Sequence, residues 1–134
     1  MPLVRIDLRK GKPAEYVRAV GEAMHRAMAE TLDVPERDHF QVITEHDSNH
    51  LVYDANYLDV RRTDDVVFVQ VFLSAGRDLA KKEAFYARVA KQLGEKPGLR
   101  PEDVVIVLVE NQRQDWSFGR GLASYVVLPK EQWR

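Results

Sequence analysis

Residues 35–46 (PERDHFQVITEH) return, with one residue deleted, as residues 101–111 (PEDVVIVLVEN). Asp38 aligns with Asp103 at an offset of 65 residues, and the apolar residues that follow keep that offset. Each copy is a strand-like run that comes after a helix-like segment, which in turn comes after an earlier strand-like run. The repeat therefore predicts two β-α-β units in tandem.

Hydrophobic periodicity divides each unit into two strands and one helix. The predicted strands cover residues 3–8, 39–45, 66–73 and 104–109, and the predicted helices run from Pro13 to Val34 and from Asp78 to Leu93. Pro13 suits the first turn of a helix, and Asp78 suits an N-cap. Gly94 and Pro97 are expected to stop the second helix.

The expected fold class is α/β (α+β), with a four-stranded mixed sheet and both helices on one face. Right-handed crossovers in the two units place both helices on the same side. We expect a single domain over residues 1–134, made of halves at about 2–46 and 66–111 and a C-terminal segment at 112–134.

The second unit's strands, at 66–73 and 104–109, are apolar at nearly every position, which is typical of burial on both faces. Two helices can cover only one face. A second copy of the protein is the simplest cover for the other face, so the pattern favours self-association. The alternative is that residues 47–65 or the C-terminal segment fold over it.

Composition and charge limit the functional class. Among 134 residues, 45% are hydrophobic and 31% charged, as in soluble globular proteins. The net charge of −1 argues against a nucleic-acid partner or an anionic membrane, because both require a concentrated positive field. Cysteine is absent, and no apolar stretch resembles a signal peptide or a membrane span. The expected location is the cytoplasm.

Two residues could bring chemistry to the predicted sheet. Removal of Met1 would expose Pro2 as a secondary amine, which can act as a general base when burial and nearby cations lower its pKa. Arg77 lies in the loop after the third strand, and a guanidinium there can hold a carboxylate with two parallel hydrogen bonds. The alternative is that neither residue has a chemical role: Pro2 would be an ordinary second residue, and Arg77 a surface residue paired with Asp78.

Residues 110–121 (ENQRQDWSFGRG) place two aromatic side chains, Trp116 and Phe118, in a polar turn that contains glycine. Such side chains form either a small satellite core or the apolar wall of a pocket. His46 and His50 are four residues apart, but they lie at a strand end and in a loop, so no metal site is predicted. No cofactor is expected.

Together these segments resemble the tautomerase superfamily, and within it the malonate semialdehyde decarboxylase-like group. The resemblance rests on PLVRIDL at the start, VPERDHFQV in the middle, SAGR after the third strand and ENQRQDWSFGRG near the end. It implies a tautomerase-like homotrimer with the amino-terminal proline at the bottom of a small pocket.

The resemblance also implies roles for individual residues. Pro2 would be the general acid or base, and Arg77 would bind and polarise a carboxylate or carbonyl of the substrate. Asp38 would orient water or form a hydrogen bond near the proline. An apolar wall would remove water from the amine, and its residues would be Trp116, Phe118 and Tyr125.

One departure from the family keeps several reactions open. Decarboxylases of the group often carry Arg-Pro-Arg after this strand, whereas this chain has Ser74 and Gly76 in those places. The leading hypothesis is a cofactor-independent isomerase that tautomerises small 2-oxo or 3-oxo acids. A decarboxylase (a lyase) or hydratase with a protonated Pro2 is the first alternative. The second is a non-catalytic module for small-ligand binding or assembly.

Overall fold

The computed structural model describes residues 2–133. Met1 and Arg134, the first and last residues of the predicted domain, lie outside the described residues. The elements are β1 (Leu3–Arg9), α1 (Ala14–Thr31), β2 (Phe40–His46), β3 (Val67–Ser74), α2 (Leu79–Glu95), β4 (Val104–Asn111) and the short α3 (Ser124–Val127).

The strands form one mixed four-stranded sheet in the order β2-β1-β3-β4. β1 runs parallel to β2, and β3 runs parallel to β4. The two units meet where β1 pairs antiparallel with β3, with Leu3 opposite Phe72. The predicted tandem of β-α-β units is therefore confirmed.

The 65-residue offset extends beyond the segments that reveal it. Val4 of β1 and Val69 of β3 are related by that offset, and both are buried on the side of the sheet that faces the helices. Pro2 and Val67 are related in the same way, and both are also buried. The repeat thus preserves which face of the sheet each strand residue occupies, as the two-residue period of a strand requires.

Both helices pack on the same face of the sheet, as predicted. Phe85 of α2 and Met24 of α1 are fully buried in one core with the inward side chains of β1 and β3. The side chain of Asp78 accepts a hydrogen bond from the Lys81 backbone N–H at 2.9 Å, which confirms it as the N-cap of α2. No helix within residues 2–133 is long and apolar enough to cross a bilayer.

Three helix boundaries differ from the prediction. Pro13 is the extended N-cap of α1 and not part of its first turn. That helix ends at Thr31, where Asp33 with φ of +57° turns the chain before Val34. α2 continues through Gly94 to Glu95, because a single glycine inside a helix costs only about 1 kcal/mol, which packing can offset.

The opposite face of the sheet is only partly covered. Leu51, from the irregular segment 47–65, is 8% exposed and lines a shallow cavity with Phe68 and Val107 on this face. Val107 is nevertheless 49% exposed, and Phe40 is 47% exposed. The segment therefore covers part of the face and leaves apolar side chains of the outer strands in water.

Candidate active site

One end of the sheet collects the termini of all four strands. β1 begins where the antiparallel β3 ends, and β2 begins beside β1, with Leu3 opposite Phe40. β4 ends beside β3, with Ser74 opposite Asn111. Pro2 is buried and directly precedes β1, so it lies at this end of the sheet. The segments that carry the other predicted site residues all start or finish here.

Arg77 is held in a defined position at this end. Its Nε donates to the carbonyl oxygen of Leu32 at 3.0 Å, and its Nη1 donates to that of Ser74 at 3.1 Å. Gly76 has φ of +130°, which permits the turn that aims the guanidinium back at the sheet. A guanidinium has five N–H donors, so about three remain for a ligand.

Burial lowers the pKa of the Arg77 guanidinium below its ordinary value, and the neighbouring charge of Arg113 acts in the same direction. A guanidinium still stays protonated at neutral pH. Arg77 therefore offers a fixed positive charge in a setting with less water than an exposed arginine has. Such a charge attracts a carboxylate and lowers the pKa of a nearby amine.

Asp38 and its repeat partner Asp103 occupy different surroundings. Asp38 is half-buried in the turn before β2, where its backbone N–H donates to the Pro35 carbonyl at 3.0 Å, and its side chain borders a cavity. Asp103 is fully buried and accepts two hydrogen bonds from Thr63, both at 2.6 Å. The carboxylate of Asp103 is used to hold the segment before β3, and that of Asp38 lies beside an open space.

The aromatic residues of the C-terminal segment form a continuous cluster. Trp116 stacks on Phe118 with ring centroids 5.4 Å apart, and Phe118 meets the edge of Tyr125 at 5.2 Å. Phe118 also contacts Phe40 of β2 at 5.3 Å. The cluster is therefore joined to the sheet beside Asp38.

Two members of the cluster carry hydrogen-bonding groups. Trp116 Nε1 donates to Asn111 Oδ1 at 2.7 Å, which ties the ring to the last residue of β4. Burial raises the pKa of Tyr125 to about 12, so its hydroxyl stays protonated at neutral pH. The rings are thus a rigid, uncharged surface.

A cavity of about 520 Å³ lies beside this cluster. Its wall includes two arginines, one carboxylate and several aromatic rings: Arg37, Asp38, Phe40, Phe118, Arg120 and Tyr125. Trp116 is stacked behind Phe118 and is not in the wall. Pro2 and Arg77 also lie outside that wall, at the same end of the sheet. The structure thus brings three of the six predicted site residues to one cavity.

Ser74, two residues before Gly76, is buried at the end of β3. Its hydroxyl oxygen has no hydrogen-bond partner among residues 2–133. In the same part of the chain, no group of three or more His, Cys, Asp or Glu side chains has the arrangement of a metal site. Arg77 and Asp38 are therefore the charged groups from the predicted set that this end of the sheet offers.

Two overlapping parts of the chain match family descriptions, and together they cover almost all of it. Residues 38–119 match one family described as tautomerase enzyme, and residues 2–61 match a second with the same description. This chain belongs to the tautomerase family. The family assignment makes it an enzyme, a tautomerase or a related decarboxylase.

Relatives of this tautomerase-family enzyme align over nearly their whole length. A probable tautomerase of Bacillus subtilis, YusQ, is 38% identical over 94% of this chain and 99% of its own. The structure of a malonate semialdehyde decarboxylase is 32% identical, with a TM-score of 0.88 over 92% of this chain and 95% of that one. The FG41 malonate semialdehyde decarboxylase inhibited by 3-bromopropiolate is 37% identical, also at 0.88, over 95% and 99%.

Sequence reasoning missed part of the tautomerase's cavity wall. Arg37, Phe40 and Arg120 were not predicted as site residues. Arg37 precedes the predicted Asp38, and Arg120 stands between two glycines, so both had a local signal in the sequence. Phe40 had none, because its contact with Phe118 joins residues 78 positions apart.

Proposed function

We propose that this enzyme catalyses keto–enol tautomerisation of oxo acids with Pro2 as its general base. Removal of Met1 leaves the Pro2 nitrogen as a secondary amine. In its neutral form the nitrogen takes a proton from the enol hydroxyl group and delivers it to the α-carbon at the far end of the C=C bond, or moves a proton from that carbon to the carbonyl oxygen in the reverse direction. One proton is removed and one is returned, so the step needs no cofactor, and we propose none.

The convergence of Pro2 and Arg77 at one end of the sheet carries this proposal. The two backbone carbonyls that hold Arg77 fix the direction of its free N–H groups. In the proposed mechanism these groups bind the substrate carboxylate and stabilise the negative charge that develops on the enolate oxygen. Binding at Arg77 places the reacting carbon near the proline nitrogen.

The aromatic cluster has a supporting role in the proposal. Trp116, Phe118 and Tyr125 would exclude water from the amine, which disfavours its protonated form and lowers its pKa toward neutrality. Asp38 would orient the substrate or a water molecule beside the proline. We place the enzyme in the cytoplasm, and its substrates are small oxo acids.

We also propose a homotrimer. Its support is the partly uncovered sheet face, where Val107 and Phe40 are about half exposed. Exposed apolar residues grouped on one side of a sheet are typical of an interface. A second and third copy would cover that face and complete the burial that the apolar strands predict.

Decarboxylation or hydration is the second candidate, and identities of 32% and 37% to two malonate semialdehyde decarboxylases favour it. In that reaction Pro2 would stay protonated and serve as an acid, and Asp38 would orient the attacking water. The presence of Ser74 in place of an arginine argues for the tautomerase first, because one positive charge near the carboxylate is missing.

The test is a pair of proline variants of the untagged enzyme. Pro2→Ala keeps a residue that permits Met1 removal, whereas Pro13→Ala changes an exposed proline at the start of α1. We expect Pro2→Ala to lower kcat/KM for ketonisation of phenylpyruvate enol by about 10²–10⁴-fold, the usual contribution of a general base. Pro13→Ala is expected to retain the wild-type value. Equal activity in both variants would refute the mechanism.

A nitrogen NMR titration of proline-labelled enzyme separates the two candidate reactions. An amine that titrates near neutral pH supports the general-base tautomerase. One that titrates well above about pH 8, toward the range of an ordinary amine or higher, supports a protonated proline and the decarboxylase or hydratase.

A further inference from the structure

His25, on α1, contacts the connection between α1 and β2 at two points. Its Nε2 donates a hydrogen bond to the carbonyl oxygen of Glu36 at 2.8 Å, and its ring stacks on that of His39 with the centroids 4.0 Å apart and the planes 6° apart. Glu36 lies inside the turn that the Asp38 N–H closes on the Pro35 carbonyl, and His39 directly follows that turn. One side chain of the helix therefore holds both the turn and the residue after it.

The protonation state of the His25 ring suits this contact. A carbonyl oxygen only accepts hydrogen bonds, so the proton of the neutral ring is on Nε2. Its Nδ1 is buried and has no hydrogen-bond partner among residues 2–133. Burial lowers the pKa of His25, and the His39 ring acts in the same direction, whereas Glu36 raises it. Burial is the largest of these effects, so the neutral ring is the form present at neutral pH.

The turn before β2 also lies beside the proposed catalytic base. Where β1 runs parallel to β2, Leu3 pairs with Phe40. Pro2 and His39 each directly precede a residue of that pair, so they are neighbours at the start of the two strands. Asp38, one residue earlier, borders the cavity. A shift of the turn would therefore move the Asp38 carboxylate relative to the proline nitrogen.

The second repeat unit fixes its equivalent turn in another way. The Asp103 N–H closes that turn on the Arg100 carbonyl at 3.0 Å, and the Asp103 carboxylate accepts two hydrogen bonds from Thr63. The residue related to His25 by the 65-residue offset is Ala90, which has neither a ring nor a side-chain donor. The aspartate therefore holds the turn in the second unit, whereas a histidine of the helix holds it in the first.

We propose that His25 is a positioning residue for the reaction at Pro2, because it fixes the turn that carries Asp38 at the cavity. The helix, and not the Asp38 carboxylate, then anchors the turn. This inference rests on the proposed function, in which Asp38 orients the substrate or a water molecule beside the proline. His25 is not in the cavity wall, so it acts through Asp38 and not on the substrate.

Two substitutions separate the hydrogen bond of His25 from its ring. His25→Gln places an amide nitrogen where it can donate to the Glu36 carbonyl. His25→Phe keeps a flat ring for the stack but has no donor. Arg26→Gln is the control, because Arg26 is the next residue of α1, is exposed and is not in the cavity wall.

Amide hydrogen exchange measured by NMR tests the anchoring of the turn without using activity. We expect the Asp38 N–H to exchange about tenfold faster in His25→Phe than in the wild type, because the turn opens more often. His25→Gln and Arg26→Gln should keep the wild-type rate at Asp38. The Asp103 N–H, in the equivalent turn of the second unit, should exchange at the wild-type rate in every variant. Equal exchange at Asp38 in His25→Phe and in the wild type would overturn the inference.

Ketonisation of phenylpyruvate enol, measured below the unfolding transition of each variant, tests the positioning role. We expect His25→Phe to lower kcat by about tenfold with KM unchanged, and His25→Gln and Arg26→Gln to retain the wild-type kcat. In the Asp38→Ala background, His25→Phe should have no further effect, because the group that it positions is absent. The same tenfold loss in both backgrounds would overturn the inference, since His25 would then act independently of Asp38.

The two measurements separate this inference from the proposed function. If the wild type does not ketonise the enol and His25→Phe still accelerates exchange at Asp38 alone, the proposed function fails and the anchoring of the turn stands. If the wild type is active and His25→Phe changes neither kcat nor exchange, the inference fails and the proposed function stands. Faster exchange with an unchanged kcat would also overturn the inference, because the anchored turn would then have no effect on the reaction.

Discussion

Asp38 and Asp103 occupy equivalent positions in the two repeat units, but we expect Asp103 to contribute to stability and Asp38 to activity. Substituting each in turn tests this difference. Asp103→Ala removes a fully buried carboxylate and leaves the Thr63 backbone N–H and hydroxyl without their acceptor. Asp38→Ala removes a half-buried carboxylate at the cavity, where the backbone N–H of the turn already has its acceptor at Pro35. We expect the first variant to lose stability and the second to lose activity.

The size of the first effect follows from the hydrogen bonds. Each hydrogen bond to a charged group contributes about 1.5–3 kcal/mol, so the two bonds from Thr63 predict a loss of about 4 kcal/mol for Asp103→Ala. For a chain of this length, about 4 °C per kcal/mol corresponds to a decrease in Tm of roughly 15 °C. For Asp38→Ala we expect a smaller loss, because Asp38 is half-buried whereas Asp103 is fully buried.

The assay is thermal unfolding by circular dichroism at one fixed protein concentration, because association makes Tm depend on concentration. Ketonisation of phenylpyruvate enol is measured below the transition of the weaker variant. Asp103→Asn is an informative third variant, since its amide oxygen can accept one of the two hydrogen bonds. We expect its Tm to lie between those of the wild type and Asp103→Ala.

Two results would refute this reasoning. A larger decrease in Tm for Asp38→Ala than for Asp103→Ala would mean that the structural carboxylate has been assigned to the wrong half. Unchanged activity in Asp38→Ala, measured with a stable protein, would remove Asp38 from the proposed mechanism.

Three further predictions follow from the geometry. Arg77→Lys keeps the charge but cannot reach both backbone carbonyls while presenting donors to substrate, so kcat/KM should fall by about 10²-fold in the ketonisation assay. Burial lowers the pKa of His25, so the unfolded chain takes up a proton at a higher pH than the folded chain does. The free energy of unfolding should therefore fall as pH decreases below about 6.5. The profile of Tm against pH should be flatter in His25→Phe. Val107→Glu should reduce the mass measured by light scattering from that of a trimer while the chain stays folded. Leu79→Glu is the control and should leave the mass unchanged, because the Leu79 side chain is exposed at the start of α2.

The helices and β1 could be predicted from their hydrophobic periods, and β3 and β4 from continuous apolar runs of strand length. Burial alternates strictly along β1, and it alternates along β3 as far as Leu73. The N-cap of α2 was also readable, because a side-chain cap such as Asp78 acts within three residues. Helix ends were less predictable. Thr31 ends α1 through a left-handed residue, Asp33, whose backbone angle no sequence period reveals.

The cavity could not be predicted from local pattern, because its wall joins distant parts of the chain. α3 is only four residues long, too short for a helical period, and it positions Tyr125 through ring contacts with Phe118 and Trp133. From the sequence, Trp116 and Phe118 were predicted to form either a satellite core or the wall of a pocket. In the structure Phe118 belongs to both, since it packs within the cluster and also lines the cavity.

The antiparallel pairing of β1 and β3 explains why two similar units have different surroundings. It places equivalent residues of the two halves at opposite ends of the sheet, so Pro2 and Asp38 are far from Val67 and Asp103. At the second end, Thr63 from the connecting segment donates two hydrogen bonds to the carboxylate of Asp103. At the first end, the aromatic cluster and the guanidinium groups surround a cavity beside Asp38. The segments outside the repeat therefore make the two ends of the sheet different, and the proposed function uses the end beside Asp38.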